Sequence, residues 1–177
     1  MPAAHDPAGV IVRAAAAADA AAVARIYNHY VTETVVTFEE EPVAAAEMAR
    51  RMAEIQAASL PWLVAELAGA VAAYAYATPW RTRPAYRFSA ELTVYVAPNL
   101  GGRGLGSALY ARLLAAARDR GLHAVMGGIA LPNEASVRLH EKLGFEKVAH
   151  FREAGYKLGR WVDVGYWQLL LAGGPGA

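Results

Sequence analysis

Residues 91–121 limit the folds open to this chain more than any other stretch. Residues 91–96 are rich in β-branched and aromatic side chains and predict a strand. Ala97-Pro98 ends that strand, because proline has no N–H to give to a central ladder. Four glycines then fall within residues 101–106, before a helical pattern of apolar residues at Leu105, Ala108, Leu109, Leu113 and Ala116. The sequence therefore predicts a strand, a glycine-rich turn and a helix in direct succession.

A glycine-rich turn that opens a helix suits a phosphate or a pyrophosphate. Several backbone N–H groups remain unpaired there, and the helix dipole adds partial positive charge. A Walker loop would continue with Lys and then Ser or Thr, whereas Ser107-Ala108 follows the last glycine here. A dinucleotide loop would have a third glycine at Leu109 and an acidic residue at the end of a second strand, whereas Asp119 lies on the helix. Neither nucleotide motif fits the turn.

Composition excludes several classes of function. With 177 residues, 56% of them apolar and 19% charged, the chain is long enough for one globular domain. A formal charge of +1 without a long basic run gives no sign of a nucleic-acid interface. The absence of cysteine rules out disulfides and thiolate sites, and the five histidines lack the spacing of metal-binding helices, so no metal is expected. With neither a signal peptide nor a long apolar run, we expect a soluble cytoplasmic protein that binds no membrane.

The rest of the chain predicts a single mixed α/β domain over residues 10–171, between flexible tails at 1–9 and 172–177. Asp19, Pro42 and Asn133 mark the starts of three further helices. The helix after the glycine-rich turn makes the strands on either side of it parallel neighbours, by the right-handed crossover rule. Strands are predicted at 10–13, 62–67, 71–77, 86–96, 123–129, 147–156 and 163–171.

The glycine-rich turn resembles the coenzyme A pyrophosphate loop of the GNAT family of N-acetyltransferases, whose pattern is Gln/Arg-x-x-Gly-x-Gly/Ala. Gly104 and Gly106 fit this pattern and Arg103 supplies a cation, whereas Gly101 stands where Gln or Arg is usual. The segment NEASVRLHEKLGF is similar to the second cofactor-binding helix of the family, with His140 in the place of its usual aromatic residue. Four segments look like the phosphinothricin and methionine sulfoximine acetyltransferase branch: TFEEEPV at 37–43, YATPWRTRPAY at 76–86, GIALPN at 128–133 and AGYKLGRWVDVGYWQ at 154–168.

The resemblance implies a fold and a cofactor. The fold is a central, mostly antiparallel sheet with one parallel strand pair splayed around the cofactor, flanked by about four helices. The cofactor is acetyl-CoA as acetyl donor, without a metal, and a homodimer is expected because relatives often pair. The residues expected to bind acetyl-CoA are Val94, Tyr95, Val96, Gly101, Gly102, Arg103, Gly104, Leu105, Gly106, Ser107, Asn133, Ser136 and His140.

Acetyl transfer to an amine requires groups that move protons. Free amines are mostly protonated at neutral pH, so a base must take a proton, and Glu91 stands at the start of the strand that leads to the cofactor loop. A backbone N–H within 94–96 can stabilise charge on the carbonyl oxygen. The departing thiolate benefits from a proton donor, for which both His140 and Tyr110 are candidates.

The acceptor is expected to be a small anionic amino-acid analogue. Arginine side chains bind carboxylate and phosphinate groups through two parallel hydrogen bonds, and Arg81 and Arg83 stand together in one loop. Phe38, Tyr86 and Lys157 complete the candidate substrate residues. Two alternatives stay open: an acetyltransferase for another amine or a protein N-terminus, and a coenzyme A-binding sensor without turnover.

Overall fold

The computed structural model describes residues 9–172, so the predicted tails lie almost entirely outside the described residues. Within that range, seven strands form one sheet in the order β1-β2-β3-β4-β5-β7-β6. The strands are β1 Val10–Ala14, β2 Trp62–Leu67, β3 Ala70–Pro79, β4 Ser89–Val96, β5 Ala124–Leu131, β6 Glu146–Lys157 and β7 Arg160–Leu170. The helices are α1 Ala20–Glu33, α2 Ala45–Ala57, α3 Leu105–Asp119 and α4 Glu134–Lys142.

The mixed α/β class, the single parallel strand pair and the number of helices confirm the predicted fold. Two boundaries differ from the prediction, each for a local reason. Pro84 opens a short 3-10 turn through Tyr86, so β4 begins only at Ser89. The last hairpin turns on Leu158 and Gly159 alone, because both adopt left-handed backbone conformations (φ 50° and 74°) that suit a two-residue hairpin turn.

The sheet separates two apolar clusters. The α3 face carries Leu105, Leu109 and Tyr110, which pack with Leu92 of β4 and Ile129 of β5. The α1 and α2 face carries a second cluster, formed by Val23, Ile26, Met48, Met52, Trp62, Tyr74 and Tyr95. Successive side chains of a strand point to opposite faces, so neighbouring residues of β4 and β5 serve different sides of the sheet.

The one parallel contact of the sheet, between β4 and β5, is short. Ser89–Glu91 pairs with Ala124–Met126, whereas β4 pairs with β3 as far as Val96 and β5 pairs with β7 as far as Leu131. The two strands therefore diverge after Glu91 and leave a gap in the middle of the sheet. None of the helices in the described part of the chain combines the length and apolar character needed to span a bilayer.

Candidate active site

The gap between β4 and β5 exposes backbone groups that no neighbouring strand uses. Ala97 donates its N–H to Ala72 of β3 at 2.8 Å, so by alternation the backbone of Val96 and Val94 points away from β3 and into the gap. Two tyrosine hydroxyls lie close to carbonyls on this side: Tyr30 donates to Val96 at 2.6 Å, and the Tyr110 hydroxyl lies 3.1 Å from the Leu92 carbonyl. Val94 lies between those carbonyls, and the same alternation turns the backbone of Tyr95 toward β3.

The glycine-rich turn ends at the N-terminus of α3, beside this gap. Gly102 and Gly104 adopt φ values of 76° and 79°, which favour glycine. Gly104 is the N-cap, and no side chain caps the helix, so the N–H groups of its first turn, Leu105 to Ser107, are open to an external acceptor. A Cβ at Gly101 would meet no atom within 4 Å, so the turn is open on that side.

A narrow cleft of about 50 Å³ follows the gap toward α4. Asn133 caps α4, because its side-chain oxygen accepts the backbone N–H of Ser136 at 3.1 Å. Several residues predicted to bind the cofactor or to act on it line the cleft together: Val94, Tyr95, Tyr110, Asn133, Ser136 and His140. Val36, from the loop between α1 and α2, lines the same cleft, although the sequence analysis did not include it.

Glu91 lies at the point where the two strands separate. Its carboxylate accepts the N–H of Gly128, and a Cβ added at Gly128 would lie only 2.9 Å from Glu91 Oε1. Burial raises the pKa of Glu91 above its ordinary value, whereas the charge of Arg81 and the Gly128 N–H act in the opposite direction. Glu91 is thus a carboxylate with increased proton affinity at the mouth of the cleft, as a general base requires.

Tyr110 and His140 form a buried hydrogen-bonded pair on the other face of the sheet. His140 Nδ1 lies 2.8 Å from the carbonyl oxygen of Ser136, which can only accept, so Nδ1 carries a proton. In the neutral ring Nε2 is therefore the acceptor, and the Tyr110 hydroxyl donates to it at 2.8 Å. Burial lowers the pKa of His140 and raises that of Tyr110, so both are neutral near pH 7.

Two adjacent glycines of β5 allow Glu91 and His140 to approach the same strand from opposite faces. A Cβ at Gly127 would lie 2.2 Å from His140 Nε2, and a Cβ at Gly128 would meet Glu91 Oε1 and the Tyr166 ring. Any side chain at either position would displace one of these groups. A pair of glycines inside an apolar strand is the sequence signal for such close approach, although the sequence analysis did not use it.

The two predicted arginines occupy different places. Arg81 stacks on the Trp80 ring at 4.1 Å, and its charge acts on Glu91 and on Tyr166. Trp80 in turn packs edge-on against Tyr166, with ring centroids 5.3 Å apart. Arg83 instead lines a groove of about 380 Å³, together with Tyr86, Arg87, Leu60 and Leu122. Arg81 also lines this groove, but its charge reaches Glu91. Arg83 and Tyr86 line the groove without such an interaction with Glu91.

Lys157 and Phe38 meet the loop between α1 and α2. Lys157 is only 2% exposed, and its ammonium group donates to the carbonyl oxygens of Thr37 (2.7 Å) and Tyr30 (3.3 Å). Burial lowers the pKa of Lys157, although the nearby Glu40 and Glu39 act in the opposite direction. The Phe38 ring lies against Gly155, where a Cβ would approach it to 2.4 Å. Lys157 thus holds the backbone beside Val36, which lines the cleft.

These features fit acetyl-CoA. The uncapped first turn of α3 and the open glycine turn offer N–H groups to a pyrophosphate, with Arg103 exposed beside them. The gap offers the backbone of Val94 to an extended amide-bearing arm, in the manner of a neighbouring strand. The cleft contains Tyr110 and His140 and is also lined by Gly128, whose N–H binds Glu91, so groups able to exchange protons lie in or beside it.

Comparison with known proteins agrees with this arrangement. The family described as "Acetyltransferase (GNAT) domain" matches residues 12–165. A phosphinothricin N-acetyltransferase from Streptomyces viridochromogenes is 47% identical over 159 residues, which cover 90% of this chain and 86% of that protein. An L-methionine sulfoximine/L-methionine sulfone acetyltransferase from Salmonella typhimurium is 40% identical over 163 residues, which cover 90% of this chain and 94% of that protein.

The same similarity extends to solved structures. A GNAT superfamily phosphinothricin acetyltransferase from Sinorhizobium meliloti, solved in complex with acetyl-CoA, superimposes with a TM-score of 0.91 at 36% identity. The match covers 96% of this chain and 92% of that one. The splayed sheet described above is therefore similar to one that has been observed with acetyl-CoA.

Proposed function

The chain belongs to the GNAT family of acetyltransferases and is an acetyl-CoA-dependent N-acetyltransferase, and we propose that it acts on small anionic amino-acid analogues. The acceptor class is that of phosphinothricin or methionine sulfoximine, the compounds that name its relatives from Streptomyces and Salmonella. The observation that carries the proposal is the position of Glu91, between Arg81 and Gly128 at the mouth of the β4–β5 gap.

Glu91 is the general base of this proposal. Acetyl-CoA supplies the acetyl group as a thioester, and the amine must be neutral to attack it. The raised proton affinity of Glu91 brings its pKa closer to neutral pH, while the Gly128 N–H fixes the orientation of the carboxylate. The N–H of Val94 faces the gap and can donate to an oxygen that gains negative charge.

Tyr110 and His140 can supply the proton that leaves with the thiol. The Tyr110 hydroxyl lies within hydrogen-bonding distance of both His140 Nε2 (2.8 Å) and the Leu92 carbonyl (3.1 Å). If His140 gains a proton, its Nε2–H donates to Tyr110, whose own proton then turns to Leu92. His140 Nε2 therefore keeps Tyr110 as its hydrogen-bond partner in either proton state.

Arg81 provides the charge that a small anionic acceptor needs. It lies beside Glu91 and is stacked on Trp80, which restricts the motion of its guanidinium group. Its positive charge would also keep Glu91 ionised until the amine arrives. The Trp80 ring that carries Arg81 also packs edge-on against Tyr166, with ring centroids 5.3 Å apart.

A thiol-release assay with acetyl-CoA and a panel of acceptors tests the substrate class. We expect Arg81→Ala to raise the KM for phosphinothricin or methionine sulfoximine by about 10- to 150-fold, the scale of one charge-assisted hydrogen bond. The KM for acetyl-CoA should stay nearly constant. Arg83→Ala is the matched comparison, and its position in the outer groove leads us to expect a smaller effect.

The same assay separates the rival functions. If the wild-type enzyme acetylates peptide N-termini or arylamines faster than methionine sulfoximine, the substrate class is wrong although the enzyme class stands. A coenzyme A-binding sensor would bind acetyl-CoA without releasing thiol in the presence of any acceptor. Binding of acetyl-CoA without turnover does not require a carboxylate of raised pKa, such as Glu91, beside the cleft.

A cytoplasmic location and a homodimer complete the proposal. Large apolar side chains that are more than half exposed support self-association, and most of them lie on the β6–β7 hairpin: Val148, Phe151, Tyr156, Leu158, Trp161 and Leu170. Cell fractionation of the tagged full chain tests the location, and light scattering tests the assembly.

A further inference from the structure

Three carbonyl groups of β4 point into the gap beyond the last contact with β5: those of Leu92, Val94 and Val96. Because the pairing of β4 with β5 ends at Glu91, no strand of the described residues adjoins them on this side. Neighbouring members of the row are two residues apart, or about 7 Å along the strand. An extended ligand that lies in the gap like a strand must therefore select among these acceptors.

The two ends of this row are already occupied by tyrosine hydroxyls. Tyr30 of α1 donates to the Val96 carbonyl at 2.6 Å, and the Tyr110 hydroxyl of α3 lies 3.1 Å from the Leu92 carbonyl. The middle carbonyl, that of Val94, has neither hydroxyl as a partner. Val94 also lines the narrow cleft. Its carbonyl is thus the acceptor that remains for an incoming N–H group.

The Tyr30 hydroxyl is held in place by the fold. The Tyr30 ring packs on Tyr95, with centroids 5.0 Å apart, and meets the His29 ring edge-on at 5.3 Å. The backbone carbonyl of Tyr30 accepts from the Thr34 hydroxyl at 2.8 Å and from the Lys157 ammonium group at 3.3 Å. Burial raises the pKa of Tyr30, so its hydroxyl stays protonated and able to donate at neutral pH.

The row of carbonyls runs from the glycine-rich turn toward the proposed base. Val96 is at the end near the turn, because a Cβ at Gly106, in the first turn of α3, would lie 3.8 Å from Val96 Cγ2. Leu92 is at the other end, next to Glu91 in the sequence. An arm anchored at the turn passes Val96 before it reaches Val94. Pairing two residues too early would leave its thioester about 7 Å short of Glu91.

We propose that Tyr30 is a positioning residue for acetyl-CoA, whose hydroxyl occupies the Val96 carbonyl so that an amide N–H of the pantetheine arm pairs with the Val94 carbonyl. The inference rests on the proposed function only in placing the transfer at Glu91. A shift of the arm by two residues would keep the same side of the arm toward the strand, so strand geometry alone does not prevent it. The Tyr30 hydroxyl disfavours that shifted, nonproductive position.

Removal of the hydroxyl provides the first test. Tyr30→Phe keeps the ring on Tyr95 and frees the Val96 carbonyl for the shifted arm. Nonproductive binding competes with productive binding, so it lowers kcat and the KM for acetyl-CoA by one common factor and leaves kcat/KM unchanged. We expect that factor to be about two- to tenfold, the scale of one neutral hydrogen bond.

Calorimetry should show the Kd of Tyr30→Phe for acetyl-CoA falling by a similar factor. A residue with a merely structural role gives the opposite result, because its loss weakens the binding of acetyl-CoA and lowers kcat/KM. That result would overturn the inference, and so would constants equal to those of the wild-type enzyme.

Tyr27→Phe is the matched control on the same helix. The Tyr27 ring also packs on Tyr95, with centroids 5.3 Å apart, but its hydroxyl bonds to Thr37 and Glu39 rather than to β4. We therefore expect no fall in its Kd for acetyl-CoA. A fall equal to that of Tyr30→Phe would attribute the effect to a loosened α1 and contradict the role of the Val96 carbonyl.

A spectroscopic test needs no acceptor and no turnover. Val94-Tyr95 is the only Val-Tyr step in the sequence, so [1-13C]valine combined with [15N]tyrosine selects the Val94 carbonyl by NMR. Coenzyme A should shift this resonance in the wild-type protein, and shift it less in Tyr30→Phe, where part of the bound arm pairs with Val96. No shift in the wild type, or equal shifts in both proteins, would overturn the inference. If the wild type acetylates none of the acceptors, the proposed function fails while this experiment still decides the role of Tyr30.

Discussion

We propose that turnover depends most directly on Glu91. Its carboxylate is half-buried beside Gly128, and burial raises its pKa, so the ionised form declines as the pH falls through that raised value. We expect Glu91→Gln to lower kcat by about 10²- to 10⁴-fold at neutral pH and to remove the acid limb of the pH–rate profile. Acetyl-CoA affinity, measured by calorimetry, should change little. A kcat within about threefold of wild type would leave Glu91 a purely structural residue.

Gly101 is a position where a substitution should improve binding. Its backbone (φ −60°, ψ 152°) is one that any residue adopts, and a Cβ there would meet no atom within 4 Å. Gly101→Arg therefore adds a cation beside the open turn without strain, and should tighten acetyl-CoA binding by about three- to tenfold, less than a fully buried charge-assisted bond. Gly101→Glu should weaken binding, and the gain with Arg should shrink at high salt. Unchanged affinity in both variants would place the pyrophosphate elsewhere.

Residue types at short spacing allowed part of the site to be predicted from sequence. The Asn133 cap and the shared helical face of Ser136 and His140 follow from a period of 3.6 residues, and the structure has them on one side of α4. The role of Lys157 could not be predicted in this way. Its partner Thr37 lies 120 residues away, and no local pattern distinguishes a buried lysine that holds a backbone from an exposed one that awaits a substrate.

At the scale of elements, the loop between α1 and α2 is held from three sides. Lys157 binds its backbone from β6, Arg51 binds Glu39 from α2, and the Tyr27 hydroxyl lies 2.8 Å from Thr37 Oγ1 and 2.9 Å from Glu39. Val36, in the same loop, lines the cofactor cleft. The position of this wall of the cleft thus depends on contacts from three elements.

Lys157→Met should loosen this loop. The change removes two charge-assisted hydrogen bonds, each contributing about 1.5–3 kcal/mol, and leaves the Thr37 carbonyl without this partner, whereas the Tyr30 carbonyl still accepts from the Thr34 hydroxyl. We expect faster amide hydrogen exchange over residues 34–43, and a similar rise in KM for phosphinothricin and for methionine sulfoximine. Arg160→Met, an exposed change on the same hairpin, is the control. A KM that rises for the anionic acceptor alone, with unchanged exchange, would instead make Lys157 a substrate contact.

Some element boundaries follow from the local sequence, whereas others depend on pairing with strands that are distant in the sequence. Strand β2 is where its apolar run predicts it, because the Ala68-Gly69 turn lies next to it in the sequence. The divergence of β4 from β5 has no such local signal. Strand β5 is an apolar run and β4 mixes polar and apolar residues, but neither pattern marks where the two separate. The point of separation follows from the pairing of each strand with a different neighbour, β3 or β7.

At the scale of the whole molecule, the sheet has two unlike edges. The β6–β7 hairpin at one end exposes Leu158 and Trp161 to 58% and 60%, whereas β1 at the other end exposes the single Ile11 to 61%. We expect a homodimer through the hairpin, so that Trp161→Glu shifts the mass measured by light scattering toward the monomer. Ile11→Glu, on the opposite edge, should leave the mass unchanged. A wild-type monomer at micromolar concentration would contradict this assembly.

At Gly127 and Gly128, two different candidate catalytic groups approach the same strand from opposite faces of the sheet. His140 and Tyr110 lie on the α3–α4 side, whereas the Glu91 carboxylate and the cleft between α2 and the strands β2 and β3 lie on the α1–α2 side. Under the proposed mechanism, substitutions in α2, β2 or β3 can therefore change the surroundings of Glu91 during evolution, while the side with His140 and Tyr110 stays unchanged. Neither glycine has that freedom, because any mutation there adds a Cβ. A gene for a new acceptor should carry its changes on one side of the sheet.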